Sequence, residues 1–209
     1  MRVIAGSAGG IPLKIPKTAL RPTMDLVRGA IFSSLGEAIV GANVLDLFAG
    51  TGSIGIEALS RGAASATMVE MDRKACTIIA ENLSRVRLEA RVVCHDVFRF
   101  LASKGASIPA DFIFADPPYS KRPGDRDYAL ELVQNPDLPQ LLVEGGIFVL
   151  EVAQRWSLPE DTLWDCLRRK RYGSTETLFL SQRTIHRRRG QDIDGVCGST
   201  PNERRFEGY

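Results

Sequence analysis

The stretch Asp46-Leu47-Phe48-Ala49-Gly50-Thr51-Gly52-Ser53-Ile54-Gly55 decides the fold of this chain. It closes the apolar run 43–48 and opens a helix-like stretch over 53–62, so it stands where a strand ends and a helix begins. Glycines at such a junction let the backbone approach a ligand closely, and a nucleoside-type cofactor is the natural guest. The spacing Gly50-x-Gly52-x-x-Gly55 also satisfies the dinucleotide fingerprint. The loop alone therefore divides between nicotinamide or flavin cofactors and S-adenosylmethionine. Asp46 tilts the balance to the latter, because a carboxylate at this place repels a pyrophosphate but suits a cationic sulfonium and ammonium.

Further apolar runs at 66–70, 91–95, 111–115 and 146–151 follow, separated by stretches that predict helices over 73–86, 96–104 and 127–142. This alternation implies a doubly wound α/β domain, with a mostly parallel sheet covered on both faces. Glu70 closes the second run, 20 residues after Gly50, where a carboxylate can accept from both ribose hydroxyls. Asp96, after the third run, is placed to meet an adenine amino group. With Phe48, Ala49, Gly50 and Gly52 of the loop, and Met71 and Val97 beside the two carboxylates, these residues make up the expected cofactor site.

Ahead of the sheet, residues 1–20 hold two apolar pieces around Gly6-Ser-Ala-Gly-Gly10, which reads as a small β arm. A helix follows from Arg21-Pro-Thr-Met-Asp25, with Thr23 as its cap and Leu26, Ile31, Phe32 and Leu35 near one face. At the other end, 163–172 and 175–181 flank Tyr172-Gly173-Ser174 and predict an antiparallel hairpin. The tail 183–209 carries Arg187-Arg-Arg189 and almost no apolar residues, and it is expected to be disordered. The chain thus divides into an arm (1–20), a main domain (21–182) and a tail (183–209).

A net charge of +2 is too mild for a generally basic surface, so any nucleic-acid contact must be local. Lys14, Lys17, Arg21 and Arg28 near the amino end are the candidate phosphate contacts, as is the run Arg168-Arg-Lys-Arg171, although such runs usually belong to a solvated face. Scattered cysteines with no CxxC, and only two histidines, suggest neither a metal site nor a disulfide framework. The amino terminus lacks the apolar stretch of a signal peptide and no apolar run is long enough for a membrane span, so a cytoplasmic protein without membrane contact is expected.

Asp116-Pro117-Pro118-Tyr119 follows the fourth run, at the carboxyl edge of the sheet where open α/β folds bind ligands. Alone it is a rigid turn; beside a cofactor-type loop it has a chemical reading. An exocyclic base amine is a poor nucleophile because its lone pair is delocalised into the ring. Asp116 and the Pro117 carbonyl can hold its hydrogens and favour a pyramidal nitrogen. The prolines hold these acceptors in place before a substrate arrives, and Tyr119 can stack on a base taken out of its helix.

The sequence resembles the class I methyltransferases of the N6-adenine and N2-guanine type, and more narrowly the RsmD family. The resemblance runs from Met1 to about Ser181. It is carried by Met1-Arg-Val-Ile-Ala-Gly6, Arg21-Pro-Thr-Met-Asp-Leu-Val-Arg28, Asp46-Leu-Phe-Ala-Gly-Thr-Gly52, Gly55-Ile-Glu-Ala-Leu-Ser-Arg-Gly-Ala63 and Asp116-Pro-Pro-Tyr119. It implies a Rossmann-like seven-stranded sheet with its last strand antiparallel, S-adenosylmethionine as methyl donor and no metal. It further implies 16S ribosomal RNA in the small subunit as partner, guanine N2 as acceptor, and RNA contacts from Lys14, Lys17, Arg21, Thr23 and Arg28; the chain is expected to be a monomer. The alternatives are a DNA adenine-N6 methyltransferase, for which the chain has little room to carry a recognition domain, a nicotinamide-dependent oxidoreductase and a non-catalytic RNA-binding module.

Overall fold

A computed structural model of the chain describes residues 1–15, 24–103, 109–120, 122 and 124–183. Thr23, Lys17, Arg21 and the tail beyond Arg183 lie outside them. The elements run α1 (Met24–Leu35), β1 (Asn43–Leu47), α2 (Ser53–Ser60), β2 (Ser65–Glu70), α3 (Arg73–Val86), β3 (Arg91–Cys94), α4 (Val97–Ala102), β4 (Ala110–Ala115), α5 (Tyr128–Gln134), β5 (Leu142–Ala153), β6 (Trp164–Tyr172) and β7 (Thr175–Gln182). The seven strands form one sheet in the order β3-β2-β1-β4-β5-β7-β6. Strands β1 to β5 pair in parallel, and β7 enters antiparallel between β5 and β6.

Strand alternation splits the core into two layers. Val44, Phe112, Phe114 and Val149 face Ile31 and Phe32 of α1, Ile56 of α2 and Ile79 of α3. Leu45, Leu47, Ile113 and Leu150 face Phe100 of α4 and Leu132 of α5. A parallel strand covered on both sides is apolar throughout, which is why the runs were visible in the sequence.

Two expectations change. The helix predicted over 127–142 stops at Gln134, because Asn135 precedes a proline and takes an extended backbone (φ −72°, ψ 120°). A short 3-10 turn at Pro139–Leu141 then leads into β5. In α1 the buried stripe is Val27, Ile31, Phe32 and Leu35, while Leu26 is 66% exposed. Residues 26 and 31 stand about 140° apart around a helix, whereas 27 and 31 are one turn apart.

The amino-terminal arm is a docked element rather than a projecting one. Val3, Ala8 and Leu13 belong to the α1–α2–α3 core, and Val3 and Leu13 donate across the arm to the Ile11 and Met1 carbonyls at 3.0 and 3.2 Å. Glu57 of α2, fully buried, accepts from Ile4 N (2.8 Å), Ala5 N (3.1 Å) and Arg61 Nε (2.7 Å). Ser7 N donates to the Ser60 carbonyl at 2.7 Å. A Cβ on Gly6 (φ +84°) would lie 1.8 Å from that same oxygen, so no other residue fits there. Buried Asn82 of α3 accepts from Lys14 N (2.7 Å) and donates to the carbonyls of Lys14 and Thr51, both at 3.0 Å, joining the arm to the glycine loop.

Replacing Glu57 by alanine leaves the arm's N–H groups and the Arg28 guanidinium without their buried acceptor. The expected loss is about 3–5 kcal/mol in denaturant unfolding. Lys14→Ala, which removes only an exposed ion pair with Glu81, is expected to cost under about 1 kcal/mol in the same experiment.

Candidate functional site

The turn from β1 into α2 is held by two carboxylates. Asp46 is 3% exposed, and its Oδ2 accepts from Gly55 N at 3.0 Å. Burial pushes its carboxyl from 3.8 up to about 7, against the opposing Gly55 hydrogen bond and with the help of the Glu70 charge. Glu70 ends β2 and bridges two turns: its Oε2 accepts from Gly50 N and its Oε1 from Asp72 N, both at 2.8 Å. Asp72 and Asp96 cap α3 and α4, accepting from Lys74 N (2.8 Å) and Arg99 N (3.0 Å).

The three glycines have different reasons to be there. A Cβ on Gly55 would come within 2.5 Å of Met68, and one on Gly52 (φ +77°) would press on Ile79 and Met68 at 3.1 Å. These two serve helix-on-sheet packing. At Gly50 (φ +57°) the nearest atom to such a Cβ is the Phe48 carbonyl at 4.0 Å, so this is the glycine that leaves room above the loop.

Phe48 itself takes φ +59°, a conformation a bulky side chain rarely adopts. Its ring sits edge-on to Phe98 and Tyr128 at 6.3 and 5.7 Å. The Arg126 guanidinium lies over Phe98 and Tyr128 at 4.8 and 4.5 Å, clamped by Glu131 through two 2.7 Å bonds. Sequence reading missed this aromatic wall, because its rings come from the β1–α2 loop and the first turns of α4 and α5, with no shared motif. Of the remaining expected cofactor residues, Ala49 is buried and donates its N–H to the Val69 carbonyl at 3.0 Å. Met71 is 66% exposed, while the Val97 side chain belongs to the core beneath α4.

Beyond β4, Asp116 and Pro118 are exposed, Pro117 is buried and Tyr119 is half-buried. Tyr119 Oη donates to Glu151 Oε1 at 2.8 Å. Glu151, near the end of β5, had no role in the sequence reading; a charged residue closing an apolar run next to β4 was its only signal. Asp46, Asp116 and Glu151 line one narrow cleft with Ile31, Ile54 and Phe114. An acceptor-rich cleft beside a glycine loop attracts an amine or a cation to its mouth.

Arg28, expected to face RNA, is instead 2% exposed: it donates to the Arg2 carbonyl and to Asp25 (3.0 Å) and lies 3.5 Å from Glu57. Its charge is spent on holding the arm. Lys14 is half-exposed and paired with Glu81. In the run on the edge strand β6, Arg169 binds Glu176 at 2.6 Å and Lys170 Nζ donates to Ser34 Oγ of α1 at 2.6 Å.

The family model described as Conserved hypothetical protein 95 matches residues 1–181. The chain belongs to this family, the RsmD family of methyltransferases. Ribosomal RNA small subunit methyltransferase D of Escherichia coli (strain K12) is 44% identical over 123 residues, covering 58% of this chain and 61% of the relative. The chain therefore spans about three fifths of that relative's length. The protein named "Putative rRNA methyltransferase YlbH" of Bacillus subtilis (strain 168) is 38% identical over 190 residues, covering 88% of this chain and all of the relative. Among solved structures, "Putative methyltransferase yhhF from Escherichia coli" superposes with a TM-score of 0.73 at 36% identity, covering 88% of this chain and 97% of that one. The Rossmann-like seven-stranded sheet expected for an RsmD-family chain is the fold observed.

Because the Asp46 carboxyl titrates near 7 in the folded chain against 3.8 in an open one, folding takes up a proton. The stability contributed by that uptake is fully present below about pH 4 and is lost as the pH rises through 7. Asp46→Asn keeps an acceptor for Gly55 N and removes the titration. The variant is expected to flatten the fall in stability between pH 4 and 8, gaining on the order of 3 kcal/mol on the wild type across that interval in denaturant unfolding.

Proposed function

We propose that this protein transfers a methyl group from S-adenosylmethionine to the exocyclic N2 of a guanine in 16S ribosomal RNA of the small subunit. The observation that carries the reading is the position of Asp116-Pro117-Pro118-Tyr119 just past the carboxyl end of β4, with Asp116 in one cleft with Asp46 below the glycine loop and Tyr119 bonded to Glu151 of the same cleft. The names of the relatives support ribosomal RNA as the substrate class.

The residues around the loop fit the methyl donor better than a dinucleotide. A pyrophosphate at the start of α2 would compete with Asp46 for Gly55 N–H and meet the neighbouring Glu70 charge. A sulfonium and an ammonium are instead favoured by those carboxylates, and such a cation would draw the Asp46 carboxyl toward its ionised form. When bound, S-adenosylmethionine supplies an electrophilic methyl group on sulfur. We assign Glu70 to its ribose hydroxyls, Asp96 to its adenine amine, and Phe48, Ala49, Gly50, Gly52, Met71 and the Val97 backbone to the walls around it.

Asp116 and the Pro117 carbonyl accept the hydrogens of the target amine and turn its lone pair toward the methyl group. Tyr119 stacks on the extruded base. As the N–C bond forms, the electron pair of the breaking S–C bond goes to sulfur, and the proton leaves N2 after transfer to Asp116 or water. No strong base is needed, so in-line positioning carries the rate. Lys14 and the outward-facing part of the β6 run are assigned to phosphates, a contact that should weaken steeply with salt.

Radiolabelled methyl transfer to small subunits, free 16S RNA and duplex DNA in parallel, followed by nucleoside analysis, tests the reading. Label in N2-methylguanosine supports it; label in N6-methyladenine of DNA replaces it with the adenine alternative. Asp116→Ala is expected to lower transfer about 100- to 1000-fold with cofactor affinity nearly unchanged. Glu70→Ala is expected to weaken cofactor binding about 10- to 100-fold by calorimetry, and an unchanged affinity removes the ribose assignment.

A further inference from the structure

The cleft under Asp116 is built by strand register. Asp46 pairs with Phe114, and Phe114 with Val149. Phe114 and Val149 face the α1–α2–α3 layer, whereas Ala115 and Leu150, themselves paired, face the other layer. One residue beyond that last pair, Asp116 and Glu151 return to the first face and line the cleft with Phe114 and Val149. Three acceptor side chains therefore meet on one side of the sheet. No lysine, arginine or histidine is among the described residues that line the cleft.

This arrangement selects among base edges. Guanine presents two adjacent kinds of donor on its pairing edge, the N1–H and the N2 amine. Adenine presents its N6 amine beside an N1 lone pair. A carboxylate accepts and does not donate, so beside the amine it attracts N1–H and repels an N1 lone pair. It also offers about four lone-pair sites, so the Tyr119 hydroxyl on Oε1 does not exhaust it.

Resting on the guanine-N2 reading above, we propose that Glu151 is the specificity-determining residue of this site: it anchors Tyr119 and accepts the N1–H of the guanine whose N2 amine is held by Asp116. The carboxylate that sets the stacking ring thereby also checks the base stacked on it. A base entering with an acceptor at N1 meets a like charge where guanine meets a hydrogen-bond partner.

The test uses 16S RNA ligated so that the methylated position carries either guanosine or the ribonucleoside of 2-aminopurine, which keeps the N2 amine and has an N1 lone pair in place of N1–H. This RNA is reconstituted into small subunits where free RNA is not a substrate. The wild-type full chain is expected to methylate guanosine about 10- to 100-fold faster than 2-aminopurine. Glu151→Gln, whose amide can donate to N1, is expected to shrink that ratio at least about 10-fold with cofactor affinity unchanged. Tyr119→Phe is expected to slow both substrates and keep the ratio. Equal wild-type rates on the two bases, or a Glu151→Gln protein slowed equally on both, overturns the assignment while leaving the guanine-N2 reading intact. A ratio that collapses in Tyr119→Phe as it does in Glu151→Gln also overturns it, because selectivity then follows the ring. Absence of N2-methylguanosine from the wild-type reaction overturns the reading beneath it and this proposal together. If Glu151→Gln does not bind cofactor, Glu151→Asp takes its place: its shortened carboxylate is expected to lower the ratio, and an unchanged ratio overturns the assignment.

Discussion

Asp46 is a carboxylate held almost wholly out of water near the end of a central strand, and a group so placed must find a donor or give up its charge. It does some of each, accepting Gly55 N–H while its carboxyl titrates near neutrality. To bring Gly55 N–H back over Asp46, the chain has to reverse tightly between β1 and α2. That reversal is what requires positive φ at Phe48, Gly50 and Gly52. Glu70 then closes the loop from the neighbouring strand by accepting Gly50 N–H. The loop is thus preorganised by the carboxylates of Asp46 and Glu70 rather than by its own sequence alone, and the cleft inherits its shape from that constraint.

The amino-terminal arm extends the same principle. The backbone N–H groups of Ile4 and Ala5 end on Glu57 and that of Lys14 on Asn82, both fully buried, and Asn82 also reaches the Thr51 carbonyl in the glycine loop. Buried polar groups cost free energy unless each is satisfied, so a network of this kind holds a single arrangement or is lost as a unit. Residues that look basic and available in one dimension become structural members in three. Arg28 does so because its guanidinium is the counter-charge to a carboxylate without access to water.

Across the middle of the sheet the pleat sorts polar from apolar. Residues one apart on β4 and β5 look into different layers, and the strand ends are where the alternation brings Asp116 and Glu151 out beside Asp46. Proline at 117 and 118 stops the strand from continuing. Pro117 itself is buried, which fixes the start of the Asp116–Tyr119 segment against the sheet. Tyr119 is tied from the opposite strand by Glu151.

Much of the architecture was legible in the sequence, for a physical reason. Strands covered on both faces have to be apolar along their length, and a glycine-rich strand-to-helix turn has few other uses, so the order of elements, the loop and Asp116–Tyr119 could all be read from one dimension. The split of the helix over 127–142 was also written there, in Pro136 and Pro139, and was obscured only by the apolar period around them. What the tertiary structure alone decided depends on partners distant in the chain: the burial of Arg28 against Glu57, the docking of the arm, the aromatic wall of Phe48, Phe98 and Tyr128, and the bond from Tyr119 to Glu151. A side chain's role in these is set by the side chains that other elements bring against it, and that placement comes from how helices, loops and strands distant in the chain pack together, which composition and local spacing do not encode.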